Sequence, residues 1–75
     1  MDCEPYVGEL VAAKASEAYD KKKYILGMIM EIKTWEHEEK YSIQWFDDFA
    51  ICDYNEYDYQ VFRDRMAKVR REYGL

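Results

Sequence analysis

The sequence predicts a mainly β domain: a small antiparallel barrel of five strands, followed by one C-terminal α-helix. The segment Tyr41–Trp45 alternates apolar and polar residues with period two, which is typical of a strand with one buried face. In the last third of the chain the period changes to that of a helix, with apolar residues spaced on one face: Phe62, Met66, Val69 and Tyr73. Short strands followed by a single helix favour a barrel with the helix packed on it.

Four strands can be placed by their apolar and β-branched residues and by the polar segments between them. They are predicted at Glu9–Lys14, Tyr24–Ile32, Tyr41–Trp45 and Phe49–Cys52. The segment Lys33–Lys40 (KTWEHEEK) is predicted to be a charged loop, and Asp47-Asp48 a tight turn. Gly27 interrupts the second strand, which usually marks a bend or a close approach of two backbones.

The helix is predicted over residues 58–73, as part of a single domain that spans 1–75 with its barrel over 7–57. Asn55 or Asp58 could cap the start of the helix, and Gly74 suits its C-terminus. Both faces of the second strand are apolar, so one of them needs a cover outside the barrel. We expect the helix to supply this cover. Its residues Phe62, Met66 and Val69 should then pack against one face of the strand, which consists of Leu26, Met28 and Met30.

Composition and charge narrow the class of partner. Hydrophobic residues make up 49% of the 75 residues and aromatic residues 17%, which is enough to build a core in one small domain. The net charge of −5 is uneven: residues 1–59 carry six lysines against fourteen acids (−8), whereas residues 60–75 carry a net +3. An acidic body disfavours nucleic acid and favours a basic ligand.

Several other classes of function have little support. No apolar run approaches the roughly 18–20 residues that span a bilayer, and residues 1–5 lack the features of a signal peptide. We therefore expect no membrane partner and an intracellular location, nuclear if the source is eukaryotic and cytoplasmic otherwise. His37, the only histidine, lies in the charged segment, and no nucleophile or phosphate-loop motif is present. We expect no enzyme activity, no metal and no cofactor.

The two cysteines, Cys3 and Cys52, lie far apart in the sequence and form no CxxC pair. Two cysteines are too few for a disulfide framework. We expect one thiol at the terminus and one packed in the core, as free cysteines usually are.

The strongest candidate for a binding site follows the period-two strand. Trp45, Asp47 and Phe49 alternate in the sequence, so we expect them on one face at the rim of the barrel. Two aromatic rings beside a carboxylate suit a methylated ammonium group, because ring faces attract cations and the carboxylate supplies the counter-charge. The alternative is that the aromatic residues only fill the core and the aspartate only makes the turn.

Residues 7–52 resemble a Tudor domain, within the Tudor/chromo-barrel group of SH3-like folds. The segments that carry the resemblance are Val7–Ala13, Tyr24–Ile29 and Tyr41–Asp48. The resemblance implies a five-stranded SH3-like barrel that recognises methyl-lysine or methyl-arginine in a basic peptide through an aromatic cage. It also implies that Trp45 and Phe49 are cage walls and that Asp47 is the acidic member of the cage.

The sequence departs from this family at the two other usual cage positions, which are Ala15 and Ile25 here. We expect Tyr24 or Tyr19 to complete the site instead. Two functions are therefore compatible with the sequence. One is a reader of a methylated basic peptide; the other is a scaffold domain that binds an unmodified partner or a second copy of itself.

Overall fold

The computed structural model of the chain describes residues 4–14 and 24–74. It contains four strands and one helix: β1 (Leu10–Lys14), β2 (Tyr24–Trp35), β3 (Glu38–Trp45), β4 (Ile51–Tyr54) and α1 (Glu56–Tyr73). The strands are antiparallel and lie in sequence order in one open sheet. A mainly β domain with a C-terminal helix is therefore confirmed. The described residues do not include a fifth strand, and β1 and β4 form the two edges of the sheet.

The prediction of a charged loop at Lys33–Lys40 is wrong. These residues continue β2 and β3 as a two-stranded extension, called the ribbon below, with Trp35 opposite Glu38 and a turn at residues 36 and 37. The fourth strand begins two residues later than predicted. Phe49 takes a left-handed backbone conformation, with φ of 60°, and belongs to the turn rather than to β4.

The buried residues form two clusters. The inner cluster combines β1, β2 and β3 with the first part of the helix: Val11, Ile29, Tyr41, Ile43, Trp45 and Tyr59. The second cluster contains Ala12, Met66 and Val69. Successive strand residues point to opposite faces, so Val11 and Ala12 show that α1 covers both faces of β1. The helix thus lies over the edge strand β1, which would otherwise present unpaired backbone groups.

This placement changes the predicted packing of the helix. Leu26 does pack against the second cluster, which contains Met66 and Val69, but Met30 is 44% exposed. Phe62 instead packs against the inner cluster. The reason is that α1 contacts mainly β1, and β3 and β4 to a lesser extent, rather than lying along β2.

Both predicted helix caps are confirmed. The Asn55 side chain accepts a hydrogen bond from the Asp58 backbone N–H at 2.8 Å, which satisfies one of the free donors of the first turn. Gly74 has the left-handed conformation, with φ of 70°, and its N–H donates to the Arg70 carbonyl. With Asn55 as its N-terminal cap, the helix begins at Glu56, two residues before the predicted start.

Gly27 is a point of close approach, as predicted. A Cβ atom there would lie 2.7 Å from Cε3 of Trp45 and 2.9 Å from the Gln44 carbonyl oxygen. The absent side chain lets the Trp45 indole lie directly on the backbone of β2. This contact fixes the position of Trp45 at the end of β3.

Candidate binding pocket at Trp45

Trp45 is the last residue of β3, and its side chain points to the inner face of the sheet. Only 8% of the residue is exposed. Its indole N–H donates to the Tyr54 hydroxyl oxygen at 2.9 Å, which orients both rings. Because a buried indole N–H needs an acceptor, this hydrogen bond explains why a tyrosine stands at the end of β4.

Three aromatic rings meet at this point, each nearly perpendicular to the other two. The ring centroids of Trp45 and Phe62 are 5.2 Å apart, with an interplanar angle of 86°. Tyr54 and Phe62 are 4.9 Å apart at 87°, and Trp45 and Tyr54 are 6.0 Å apart at 82°. Edge-to-face contacts at these distances are favourable. The aromatic cluster thus joins β3, β4 and α1.

A pocket of about 230 Å³ opens in front of this aromatic cluster. Its lining combines aromatic, aliphatic and acidic residues: Ala13, Ile25, Trp45, Asp47, Asp48, Tyr54 and Phe62. Pockets for drug-sized ligands are roughly 300–1,000 Å³. The smaller volume here suits one side-chain head group rather than a whole small molecule.

The two aspartates of the pocket belong to the turn that follows β3. Asp47 Oδ1 accepts from the Asp48 backbone N–H at 2.8 Å, and Asp48 Oδ1 accepts from the Ala50 N–H at 2.9 Å. The turn closes through a hydrogen bond of 2.8 Å from the Phe49 N–H to the Trp45 carbonyl. Asp47 and Asp48 therefore make the turn and line the pocket at the same time, and both are exposed to solvent.

The pocket lining carries negative charge. Burial raises the pKa of the Tyr54 hydroxyl above its usual value of 10.0, and the negative charge of Asp58 in the first turn of the helix raises it further. Tyr54 therefore stays neutral at physiological pH and adds no charge of its own. Among the described residues, Asp47 and Asp48 are the charged groups of the lining, so this part of the pocket favours a cation.

The structure brings together only part of the predicted site. Trp45 and Asp47 line the pocket, and Ile25 contributes an aliphatic wall. Phe49 is 67% exposed in the turn and does not line it. Tyr24 packs against the second cluster instead, because it precedes Ile25 in β2 and so points to the other face. Tyr19 and Ala15 lie outside the described residues.

Sequence reasoning did not assign Tyr54 or Phe62 to the site. Phe62 belongs to the apolar face predicted for the helix, and nothing in the helical spacing separates it from Met66 or Val69. Tyr54 lies just before the helix cap Asn55, in a stretch with no regular period. A possible signal was the need of a buried Trp45 for a hydrogen-bond acceptor, which Tyr54 meets.

Within residues 4–14 and 24–74, no three His, Cys, Asp or Glu side chains are grouped so that they could hold a metal ion. Cys52 is exposed on β4, so the expectation of a packed thiol at this position is wrong. No helix in the described part of the chain is long and apolar enough to cross a membrane.

The fold and the pocket define a class of small domain: a four-stranded antiparallel sheet with a C-terminal helix and a pocket of aromatic and acidic residues. Comparisons of the chain with protein-family models, with curated proteins and with solved structures found no match.

Proposed function

We propose that this domain binds a basic peptide and takes a methylated lysine or arginine side chain into the pocket at Trp45. The observation that carries the proposal is that three aromatic rings and two carboxylates line one pocket of side-chain size. The acidic character of residues 1–59 is a second support, because it attracts basic chains over a longer range. The resemblance to Tudor domains and their SH3-like barrel is a third.

The ligand occupies the space in front of the aromatic cluster rather than a gap between the rings. The three rings touch edge to face, with centroids 4.9–6.0 Å apart, so no room for an ammonium group remains among them. A cation in the pocket instead lies against Trp45, Tyr54 and Phe62 on one part of its surface. Asp47 and Asp48 then supply the counter-charge at the mouth.

Methylation suits this lining better than an unmodified ammonium does. A lysine ammonium is strongly hydrated and carries three donors that need acceptors. The methyl groups of a methylated ammonium can instead contact Ala13, Ile25 and the aromatic rings. Each cation–π contact is worth roughly 0.5–2 kcal/mol, so we expect weak binding, with a Kd between tens of micromolar and a millimolar, or about −6 to −4 kcal/mol.

The second candidate is a scaffold domain that binds an unmodified partner. It is favoured by the burial of Trp45, which is 8% exposed and hydrogen-bonded to Tyr54. In that function the aromatic cluster serves to hold α1 against β3 and β4. The exposed residues around it then form the contact surface. Neither candidate involves catalysis, a cofactor or a metal.

The test is a fluorescence titration with a matched pair of peptides, one methylated and one unmodified. Trp35→Phe provides a background in which Trp45 is the only tryptophan. We expect the methylated peptide to change the Trp45 emission and to bind more tightly than its unmodified twin. Equal affinity for the two peptides would exclude methyl recognition and favour the scaffold function.

Two variants locate the binding, and an unchanged melting curve verifies that each is folded. Asp47→Asn keeps the side-chain oxygen that accepts from the Asp48 N–H but removes the charge, and we expect it to weaken binding of the methylated peptide about two- to fivefold, as for an exposed ion pair. Phe62→Leu removes one aromatic wall and keeps an apolar side chain. Asp64→Asn, an exposed acid on the helix away from the pocket lining, is the matched control and should leave the affinity unchanged.

A further inference from the structure

The ribbon projects beyond the body of the sheet. β1 pairs only with residues 24–28 of β2, and β4 pairs only with residues 41–44 of β3. From the pair Lys33 and Lys40 to the pair Trp35 and Glu38, the ladder therefore consists of two strands with no third strand beside them. Residues 33–39 are all exposed. No residue of the ribbon belongs to either buried cluster, so the core of the domain does not require this extension.

The tip of the ribbon combines a large aromatic residue with negative charge. Trp35 is 71% exposed, and three glutamates follow it within four positions: Glu36, Glu38 and Glu39. Tryptophan is the residue most enriched among those that dominate binding energies at interfaces. An exposed tryptophan beside acids is therefore suited to a basic partner surface with an apolar recess.

The same chain carries such a surface between its N-terminal segment and α1. A recess of about 250 Å³ lies there, lined by Tyr6, Glu9, Leu10, Arg63, Met66, Ala67 and Arg70. Arg63 and Arg70 are seven residues apart, which is about two helical turns, so they lie on one face with Met66 and Ala67 between them. The recess thus has an apolar floor with a guanidinium toward each end.

Glu9 is the acid among the described lining residues, so two arginines against one carboxylate leave this lining net positive. Its carboxylate is buried, and both oxygens lie 2.9 Å from the Tyr59 hydroxyl, which donates to them. Arg70 is exposed, and Arg63 is half-buried. The C-terminal part of the chain, residues 60–75, has a net charge of +3 against −8 for the rest.

We propose that the ribbon tip of one copy of this chain docks into the recess of a second copy. Trp35 enters the recess and contacts Leu10 and Ala67, while the glutamates of the tip meet Arg63 and Arg70. Charge complementarity within the chain selects a second copy as the partner, and the recess is of side-chain rather than drug-molecule size. The contact joins two different patches, so it is heterologous. It uses none of the residues of the Trp45 pocket and does not rest on the function proposed for that pocket.

The test measures association by sedimentation equilibrium over a range of concentrations. We expect the apparent mass of the wild type to rise with concentration. Trp35→Ala and Arg70→Glu should each raise the dissociation constant about thirtyfold or more, as the loss of a dominant interface residue does. Both side chains are exposed, and an unchanged melting curve verifies that each variant is folded. Tyr57→Ala removes an equally exposed aromatic residue (76%) and should leave association unchanged.

A mixing experiment tests the pairing itself. The Arg70→Glu chain has an intact ribbon, and the Trp35→Ala chain has an intact recess. Equimolar mixing should therefore restore a heterodimer and shift the Trp35 emission to the blue, although neither variant associates alone. A wild type that stays monomeric up to millimolar concentration would overturn the proposal. So would Trp35→Ala chains that associate normally, or a mixture that stays monomeric.

Discussion

The hairpin of β2 and β3 has two halves, one that lies in the sheet and one, the ribbon, that projects from it. Both halves belong to the same hydrogen-bond ladder, but only the sheet half is part of the core. The sheet half contributes Ile29, Tyr41, Ile43 and Trp45 to the inner cluster. The ribbon contributes no residue to either buried cluster. The ladder is continuous except for an irregularity between Ile29 and Glu31. Strand geometry in this domain therefore extends well past the region that burial stabilises.

The two halves differ in role: residues of the sheet half stabilise the fold, whereas residues of the ribbon are available to contact other molecules. In the sheet half, apolar burial stabilises at roughly 25 cal/mol per Å², so the identity of each side chain matters to folding. In the ribbon, side chains can change with little effect on stability. Selection on the ribbon would then act through contacts with other molecules, as the proposed docking of Trp35 requires.

The largest effect that separates the two halves should come from shortening a buried side chain. Ile43→Ala removes a fully buried residue of the inner cluster, and we expect it to lower the free energy of unfolding by about 2–5 kcal/mol. Thr34→Ala in the ribbon should stay within about 0.5 kcal/mol of the wild type. Urea denaturation measures both. Equal losses in the two variants would mean that the ribbon is part of the cooperative core.

A smaller effect should follow from filling the space at Gly27. Gly27→Ala places a methyl group 2.7 Å from Trp45 Cε3, and we expect overpacking to cost about 1–3 kcal/mol. The near-ultraviolet circular dichroism of Trp45 should change as well. Gly74→Ala provides the contrast: a Cβ there meets no atom within 4 Å, so its cost is backbone strain alone and the Trp45 signal should persist.

A third effect should appear at the boundary between the halves, at alkaline pH. Burial, and then the hydrogen bond of 3.0 Å that its hydroxyl donates to Glu39, raise the pKa of Tyr41 to about 12. The unfolded chain loses this proton near pH 10, so it binds fewer protons than the folded chain between these values. The contribution to stability is therefore complete below about pH 10 and is lost as the pH rises through about 12.

Urea midpoints measured across this range, together with tyrosinate absorbance, test the prediction. Tyr41→Phe should flatten the loss of stability at high pH, whereas Tyr57→Phe, on an exposed ring, should not. Tyr59 adds to the same trend, because burial and its bond to Glu9 also raise its pKa well above the usual value. A wild-type stability that does not change up to pH 12 would contradict the assignment.

The predictable parts of the fold are those that local chemistry decides. The alternation in Tyr41–Trp45, the side chain of Asn55 and the permissive backbone of Gly74 each act within a few residues, and the structure confirms all three. The ribbon was not predictable in this way, since an exposed strand and an exposed loop both require only polar residues. The left-handed conformation of Phe49, because of which β4 begins only at Ile51, was also not predictable from the sequence pattern.

The pocket was predictable only where it depends on one segment. Trp45 and Asp47 follow from the end of one strand, and both line the pocket. Phe62 reaches it because α1 packs across the edge strand β1, and Tyr54 reaches it because β4 pairs with β3. The place of the helix depends on how Tyr59, Met66 and Val69 pack, which no spacing along the chain encodes.

The hydrogen bond between Glu9 and Tyr59 joins residues fifty positions apart. During synthesis on the ribosome, the hairpin of β2 and β3 can form early, because its contacts are local. Strand β1 must wait with an uncovered edge until most of α1 has left the exit tunnel. In that interval the nascent chain is open to pairing with other strands, and the risk ends when the eighteen-residue helix α1 folds over the edge.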